Sequence, residues 1–224
     1  AQAVSFSNSF IKNASELSGD EVSVFIAEAR FLRAYAYYNL LDLYGNVPLT
    51  TEISTELPTQ SNRTELFNFI ESELMEIESI LLASNEYGRV DNVAAHALLS
   101  RLYLNAEVWT GQDRYADCIT YSQNVINSGY SLNTNDANGN GTAYDELFMA
   151  DNDVNGAQNE FIFTLNFDGM QSQTYGGTTF LVHAAIGGSM NPGNFGVNGG
   201  WGGLRTTKNL VNQFAVDLDA LNSS

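Results

Sequence analysis

The amino-acid sequence predicts a mainly α protein: tetratricopeptide-like helical hairpins, followed by a loop-rich region that contains short strands. Three observations carry that class. Apolar side chains recur at helical spacing through residues 1–130. Glycine is unevenly placed, five of the 19 lying before residue 130 and 14 after it, which marks the later segment as one that needs unusual backbone angles or close approach. Finally, "ARFLRAY" from Ala29 and "ALLSRLY" from Ala97 share Ala, Arg and Tyr at an offset of 68 residues, twice the ~34-residue tetratricopeptide period. The expected division is a helical region over 1–130 and a loop-rich, ligand-binding region over 131–224, both within one domain.

Ser18 and Glu21 have capping-box spacing, and Val22, Phe25, Ile26, Ala29, Leu32, Ala36, Leu40 and Leu43 then form an apolar face. Phe31, Ala34, Tyr35, Tyr38, Leu41 and Tyr44 form a second face, which suits a helix held between two neighbours. Gly45 and Pro48 stop it. A second helix begins near Asn62 and Glu65, with Leu66, Ile70, Leu74, Ile77 and Leu81 as its stripe. A third begins near Asp91 and carries Ala94, Ala97, Leu98, Leu102 and Val108. Gly111-Gln112-Asp113 turns the chain into a fourth, whose Ala116, Ile119, Val125 and Ile126 are expected to face inward, with Gly129 closing its end. Arg30 and Arg33 are expected to hold neighbouring carboxylates. The stretch "EFIFTLNF", Glu160 to Phe167, reads as a strand.

A formal charge of −17, from 26 acids and nine bases, excludes nucleic acid as a partner and provides no cationic field for an anionic membrane. Only 16% of residues are charged, so Asn, Ser, Thr and Gln supply much of the polar surface, which suits a neutral, hydroxyl-rich ligand and equally any extracellular surface. Cys118 is the sole cysteine, so no internal disulfide can form, and it reads as a small buried apolar group. No run approaches the ~18 apolar residues of a membrane span.

The segment "AEARFLRAYAYYNLLDLYGNVPL" resembles the hallmark of the SusD/RagB family, glycan-binding outer-membrane lipoproteins of Bacteroidota. "AAHALLSRLYLNAEVW", "YADCITYSQNVINSGYSL", "YDELFMADN", "NEFIFTLNF" and "GGWGGLRTTKNLVNQF" follow in the family's order and extend the resemblance over almost the entire chain. The resemblance implies a SusD-like α/α superhelix without catalytic activity or cofactor. It implies capture of oligosaccharides at the cell surface for nutrient uptake, and their delivery to a SusC-like TonB-dependent transporter. It also implies attachment to the outer membrane through an N-terminal lipid anchor. Neither that anchor nor the family's remaining terminal parts are in these 224 residues, which are expected to be an internal portion of a longer chain.

A saccharide ring has apolar C–H faces and polar edges, so its site needs flat aromatics beside amides or a guanidinium. The segments "QTYGGTTF", "NPGNFGVNGGWGGLRTT" and "NFDGMQ" offer both. Trp201, Tyr175 and Phe195 are the expected stacking rings, and Asn194, Asn198 and Arg205 the hydroxyl partners. Competing roles are a Trp201 that plugs the loops onto the helices and an Arg205 held in a structural salt bridge. Asp151, Asp153 and Asn155 match the first half of an EF-hand loop and are candidate calcium ligands, with Ile162 where the bidentate Glu belongs; a solvated turn is the alternative. Asn133 to Gly141 also reads as turns. His96 reads as a satisfied core residue, and His183 as a residue near the loops with no Ser or Cys nucleophile motif. The other function classes are a tetratricopeptide-type protein-interaction module and a glycoside hydrolase, for which no carboxylate pair stands out.

Overall fold

The helical periodicity of the first 126 residues is realised as α1 (Gln2–Ala14), α2 (Asp20–Tyr44), α3 (Arg63–Ile77), α4 (Asn92–Leu104), α5 (Ala106–Thr110) and α6 (Tyr115–Ile126). The structure, a computed structural model, describes residues 2–167, 170–172 and 174–213. Its Cα positions fall into two compact units, Ala1–Thr164 and Leu165–Ser224. All six helices belong to the first.

Local chemistry sets where these helices begin and end. Asn62 accepts the backbone N–H of Glu65 while Glu65 accepts that of Asn62, and this reciprocal cap opens α3. Asp91 opens α4 by accepting the N–H of Ala94 at 2.9 Å. In α2, Gly45 takes φ 74° and donates its N–H to the Leu41 carbonyl, and a Cβ at that position would lie 2.6 Å from Arg63 Nε. Ser18 does not cap α2. The helix starts one position later than a Ser18 cap requires, after Gly19, with no side-chain cap bond.

α2 runs for 25 residues, about 38 Å at ~1.5 Å per residue, and packs on both α1 and α3. Only one of its two expected apolar faces is buried, and Tyr44 at the end of that face is exposed. The face that is buried carries Phe31, Ala34, Tyr38 and Leu41, together with Ala27 and Tyr37; of the other expected face Ala29 is buried while Phe25, Leu32 and Leu43 stay exposed. The stripe expected from Leu66 through Leu81 is buried throughout, Leu81 lying past the end of α3. α4 packs on α6, so the pairs α2/α3 and α4/α6 succeed each other, with Ala29, Arg33 and Tyr35 on α2 and Ala97, Arg101 and Tyr103 on α4.

Arg30 and Arg33 do hold carboxylates: Arg33 Nη2 lies 2.6 Å from Glu73 Oε2, and Arg30 Nη2 lies 2.7 Å from Glu73 Oε1 and 2.6 Å from Glu76 Oε2. α1, absent from the sequence reading, contributes Asn8 Oδ1 to Arg33 at 2.8 Å.

Three expectations are corrected in this unit. Ile119 and Ile126 point outward, 69% and 70% exposed, as does Ala116, because α6 meets α4 through Cys118, Tyr121 and Ser122. Val108 belongs to α5 and is likewise exposed. Glu160 to Phe167 forms no strand: among the described residues the sheet is the two-residue pair β1 (Val47–Pro48) and β2 (Gln60–Ser61). Neighbouring side chains of a strand point to opposite faces. Here Ile162 and Phe163 both press onto the helical core, Phe163 edge-on to Phe31 at 5.4 Å. Tyr130 Oη donates to Asp91 Oδ2 at 2.7 Å, and the first compact unit extends through Thr164.

The second unit contains α7 (Gly177–Ala185), a 3-10 turn at Pro192–Phe195 and α8 (Lys208–Val211).

Candidate functional site

Carbonyls in the last turn of a helix have no intrahelical partner. At the end of α7 the carbonyls of His183, Ala184 and Ile186 accept the N–H groups of Trp201, Leu204 and Gly202, each at 2.8 Å. The segment around Trp201 is thereby strapped along the end of the helix. Glycine permits the approach: a Cβ on Gly200 would lie 2.4 Å from the Ile186 carbonyl oxygen, and one on Gly187 2.8 Å from Gly202 Cα. Within the "GGWGG" run Gly200 is therefore required by close packing, and the single large side chain of the run stands out from the strap.

That side chain joins a cluster of rings. The Trp201 indole stacks on the His183 imidazole with centroids 4.8 Å apart and an interplanar angle of 27°. Phe180 and Tyr175 each lie 6.3 Å from it in tilted contact. His183 Nδ1 is 2.9 Å from the Thr179 carbonyl oxygen, which can only accept, so Nδ1 carries the proton. Trp201 remains 45% exposed and Tyr175 84% exposed. Aromatic faces are electron-rich, and such a surface can take the C–H face of a sugar ring.

The structure thus brings together two of the residues singled out by sequence, Trp201 and Tyr175. Phe195 ends the 3-10 turn, 47% exposed, and among the described residues makes no ring contact; Asn194 and Asn198 are exposed on the same stretch. Arg205 donates to the Leu204 carbonyl at 2.7 Å, its guanidinium lying against Gly187 and Gly202, and among the described residues it has no salt bridge. Of the loop "NFDGMQ", Asp168 and Gly169 lie outside the described residues, as do Gln173 and the chain from Phe214 onward. Phe180 and His183 were not among the sequence-based site residues. Their spacing of three on one helix places both rings on one face, and that was the available signal.

Charge distinguishes the two units. Residues 165–224 contain three acids and two bases, so the −17 of the chain is carried almost wholly by the first unit. The ring cluster stands in a nearly uncharged segment.

The expected calcium residues are differently arranged. Asn155 is buried, its amide nitrogen donating to Glu146 Oε2 at 2.8 Å and its oxygen accepting the N–H of Ala157. Asp151 and Asp153 are exposed, and Ile162 packs on the core. No group of three or more His, Cys, Asp or Glu among the described residues could hold a metal ion. The run from Asn133 to Gly141 is turn-like as expected: Asp136 accepts the N–H groups of Gly139, Asn140 and Gly141, and buried Glu146 accepts that of Asn138. Hydrogen bonds from Asn140 and Asn138 hold the Asp145 carboxyl below its ordinary range. An open cleft of about 350 Å³ in this unit is lined by Asn133, Asn135 and Asn159, whose side-chain N–H groups donate to backbone carbonyls. His96 is half-buried, 3.7 Å from Glu78 and tilted against Tyr121.

Helical pairs thus make up one unit, and a strapped cluster of partly exposed aromatic rings marks the other. A family model described as starch-binding associating with outer membrane matches residues 2–104. The starch-binding protein SusD of Bacteroides thetaiotaomicron is 40% identical over 196 residues, which cover 86% of this chain and 34% of that protein. A SusD-like protein from Bacteroides fragilis superposes with a TM-score of 0.60 at 28% identity, over 73% of this chain and 31% of that one. A crystal structure with xylogluco-oligosaccharide superposes with a TM-score of 0.61, also at 28% identity, over 72% of this chain and 32% of that one. The chain is a member of the SusD-like family, and it spans about a third of the length of these relatives.

Proposed function

We propose that this chain is part of a non-catalytic glycan-binding protein that captures oligosaccharides at the cell surface, and that Trp201 and Tyr175 stack on the sugar rings. The observation that carries the reading is the exposed pair of rings, backed by His183 and Phe180, in a nearly uncharged unit. Arg205, and the amides of Asn194 and Asn198, supply donors and acceptors for hydroxyl groups. Relatives named for starch binding and crystallised with xylogluco-oligosaccharide support a glucan-type ligand. Modest affinity suffices: a millimolar Kd corresponds to only about 4 kcal/mol, within reach of two stacked rings and a few hydrogen bonds.

In this reading the protein is held at the outer membrane by a lipid anchor and hands its cargo to a SusC-like TonB-dependent transporter. The description of the matching family as outer-membrane-associated supports the location. Affinity electrophoresis through gels containing starch, xyloglucan or laminarin tests the binding. Wild type is expected to be retarded by at least one polymer and Trp201→Ala to run freely with its helix content intact; equal retardation of both would remove Trp201 from the site.

A further inference from the structure

Trp201 sits between Gly200 and Gly202, so neither sequence neighbour has a side chain to restrain its rotation. Its backbone N–H is nonetheless held by the His183 carbonyl at 2.8 Å, and its ring by the His183 imidazole at 4.8 Å. One residue of α7 therefore fixes both ends of the tryptophan. The imidazole is itself fixed through Nδ1 to the Thr179 carbonyl one turn earlier.

We propose that His183 is a positioning residue for saccharide binding: it is the floor on which the Trp201 indole is held, and it leaves the exposed part of the indole ready for a sugar ring. The ligand in this inference rests on the saccharide reading above, whereas the positioning rests on the geometry of α7 and the strap. Holding a side chain in its bound rotamer before the ligand arrives removes an ordering cost equivalent to about 2- to 12-fold in Kd. Phe180 borders the indole from the same helix face and limits its sideways motion.

The stack also has an optical signature. An indole held between the strap and a ring turns only with the protein, whereas an unrestrained indole also rotates on its own, so loss of the floor lowers the polarisation of its emission.

The experiment uses the full chain with Trp109→Phe, which leaves Trp201 as the single tryptophan. The emission anisotropy of Trp201 is expected to fall in His183→Ala and to be retained in His183→Phe. By calorimetric titration with maltoheptaose and with a xylogluco-oligosaccharide, His183→Ala is expected to raise Kd about 2- to 12-fold with unchanged helix content. His183→Phe, which keeps a flat ring, is expected to bring Kd back to within about twofold of wild type. If Trp109→Phe destabilises the core, the emission difference between wild type and Trp201→Phe isolates the same signal. A Trp201 anisotropy unchanged in His183→Ala, or a His183→Ala Kd equal to wild type, overturns the positioning role. If neither saccharide binds wild type, the saccharide reading fails, and the emission anisotropy alone decides whether His183 holds the indole.

Discussion

Arg33 and Glu73 form a buried ion pair between α2 and α3, Nη2 to Oε2 at 2.6 Å, with only 6% and 9% of their side chains exposed. Neither is left with idle hydrogen-bonding groups: Glu73 also takes Arg30, and Arg33 also donates to Asn8 Oδ1 and the Thr51 carbonyl. The pair lies inside the segment where the helical stack is otherwise apolar, and it ties α1, α2 and α3 together.

Removing one partner of such a pair leaves a charge without compensation, at a cost of about 3–5 kcal/mol. Glu73→Ala is therefore expected to lose that much stability in urea unfolding, and Glu76→Ala, whose carboxylate is 63% exposed, under about 1 kcal/mol. Equal, small losses in both would show that the Glu73 network contributes no more than a surface pair.

The tyrosines predict an alkaline limit. Burial, with a hydrogen bond to Asp91, pushes the Tyr130 phenol above its ordinary value, and burial with a hydrogen bond to Glu71 does the same for Tyr103. A folded-state pKa above the unfolded one means stability that is complete below about pH 10 and lost as pH rises from there toward the folded values. The thermal midpoint is expected to hold through neutral pH and fall above about pH 10, less steeply in Tyr130→Phe. Identical pH profiles for wild type and Tyr130→Phe would contradict this assignment.

Gly200 has no space for a side chain, since its Cβ would meet the Ile186 carbonyl. Gly200→Ala is expected to displace the strap at a cost of about 1–3 kcal/mol, weakening saccharide binding while leaving the helix content of the first unit unchanged. Gly199, whose Cβ would meet nothing within 4 Å, serves as the control, and its alanine variant is expected to bind as wild type.

Much of the helical unit was legible because its signals are local. Asn62 and Asp91 each precede a run of regularly spaced apolar residues, and both act as caps. α1 was not: Phe6 and Phe10 recur at helical spacing yet turn outward, and the helix buries Val4 beside polar Ser7 and Asn8. In α6 the strongest hydrophobes, Ile119 and Ile126, mark the wrong face, since the contact with α4 uses small and polar side chains. For the site, Trp201 and Tyr175 were conspicuous as aromatics among glycines. The partnership of His183 and Phe180 with Trp201 depends on the strap returning to the end of α7, a pairing of distant backbone groups that no local pattern reveals.

The chain's two tryptophans allow a direct test of the central claim, that the Trp201 surface meets a saccharide. Trp109 is 7% exposed in the helical core and Trp201 is 45% exposed on the strap, so a ¹⁵N–¹H spectrum contains one indole signal from each, assigned with Trp109→Phe. On titration with a glucan oligosaccharide the Trp201 indole signal is expected to shift progressively and saturate while that of Trp109 stays fixed. A Trp201 signal that does not move while the same saccharide binds the protein would contradict the account.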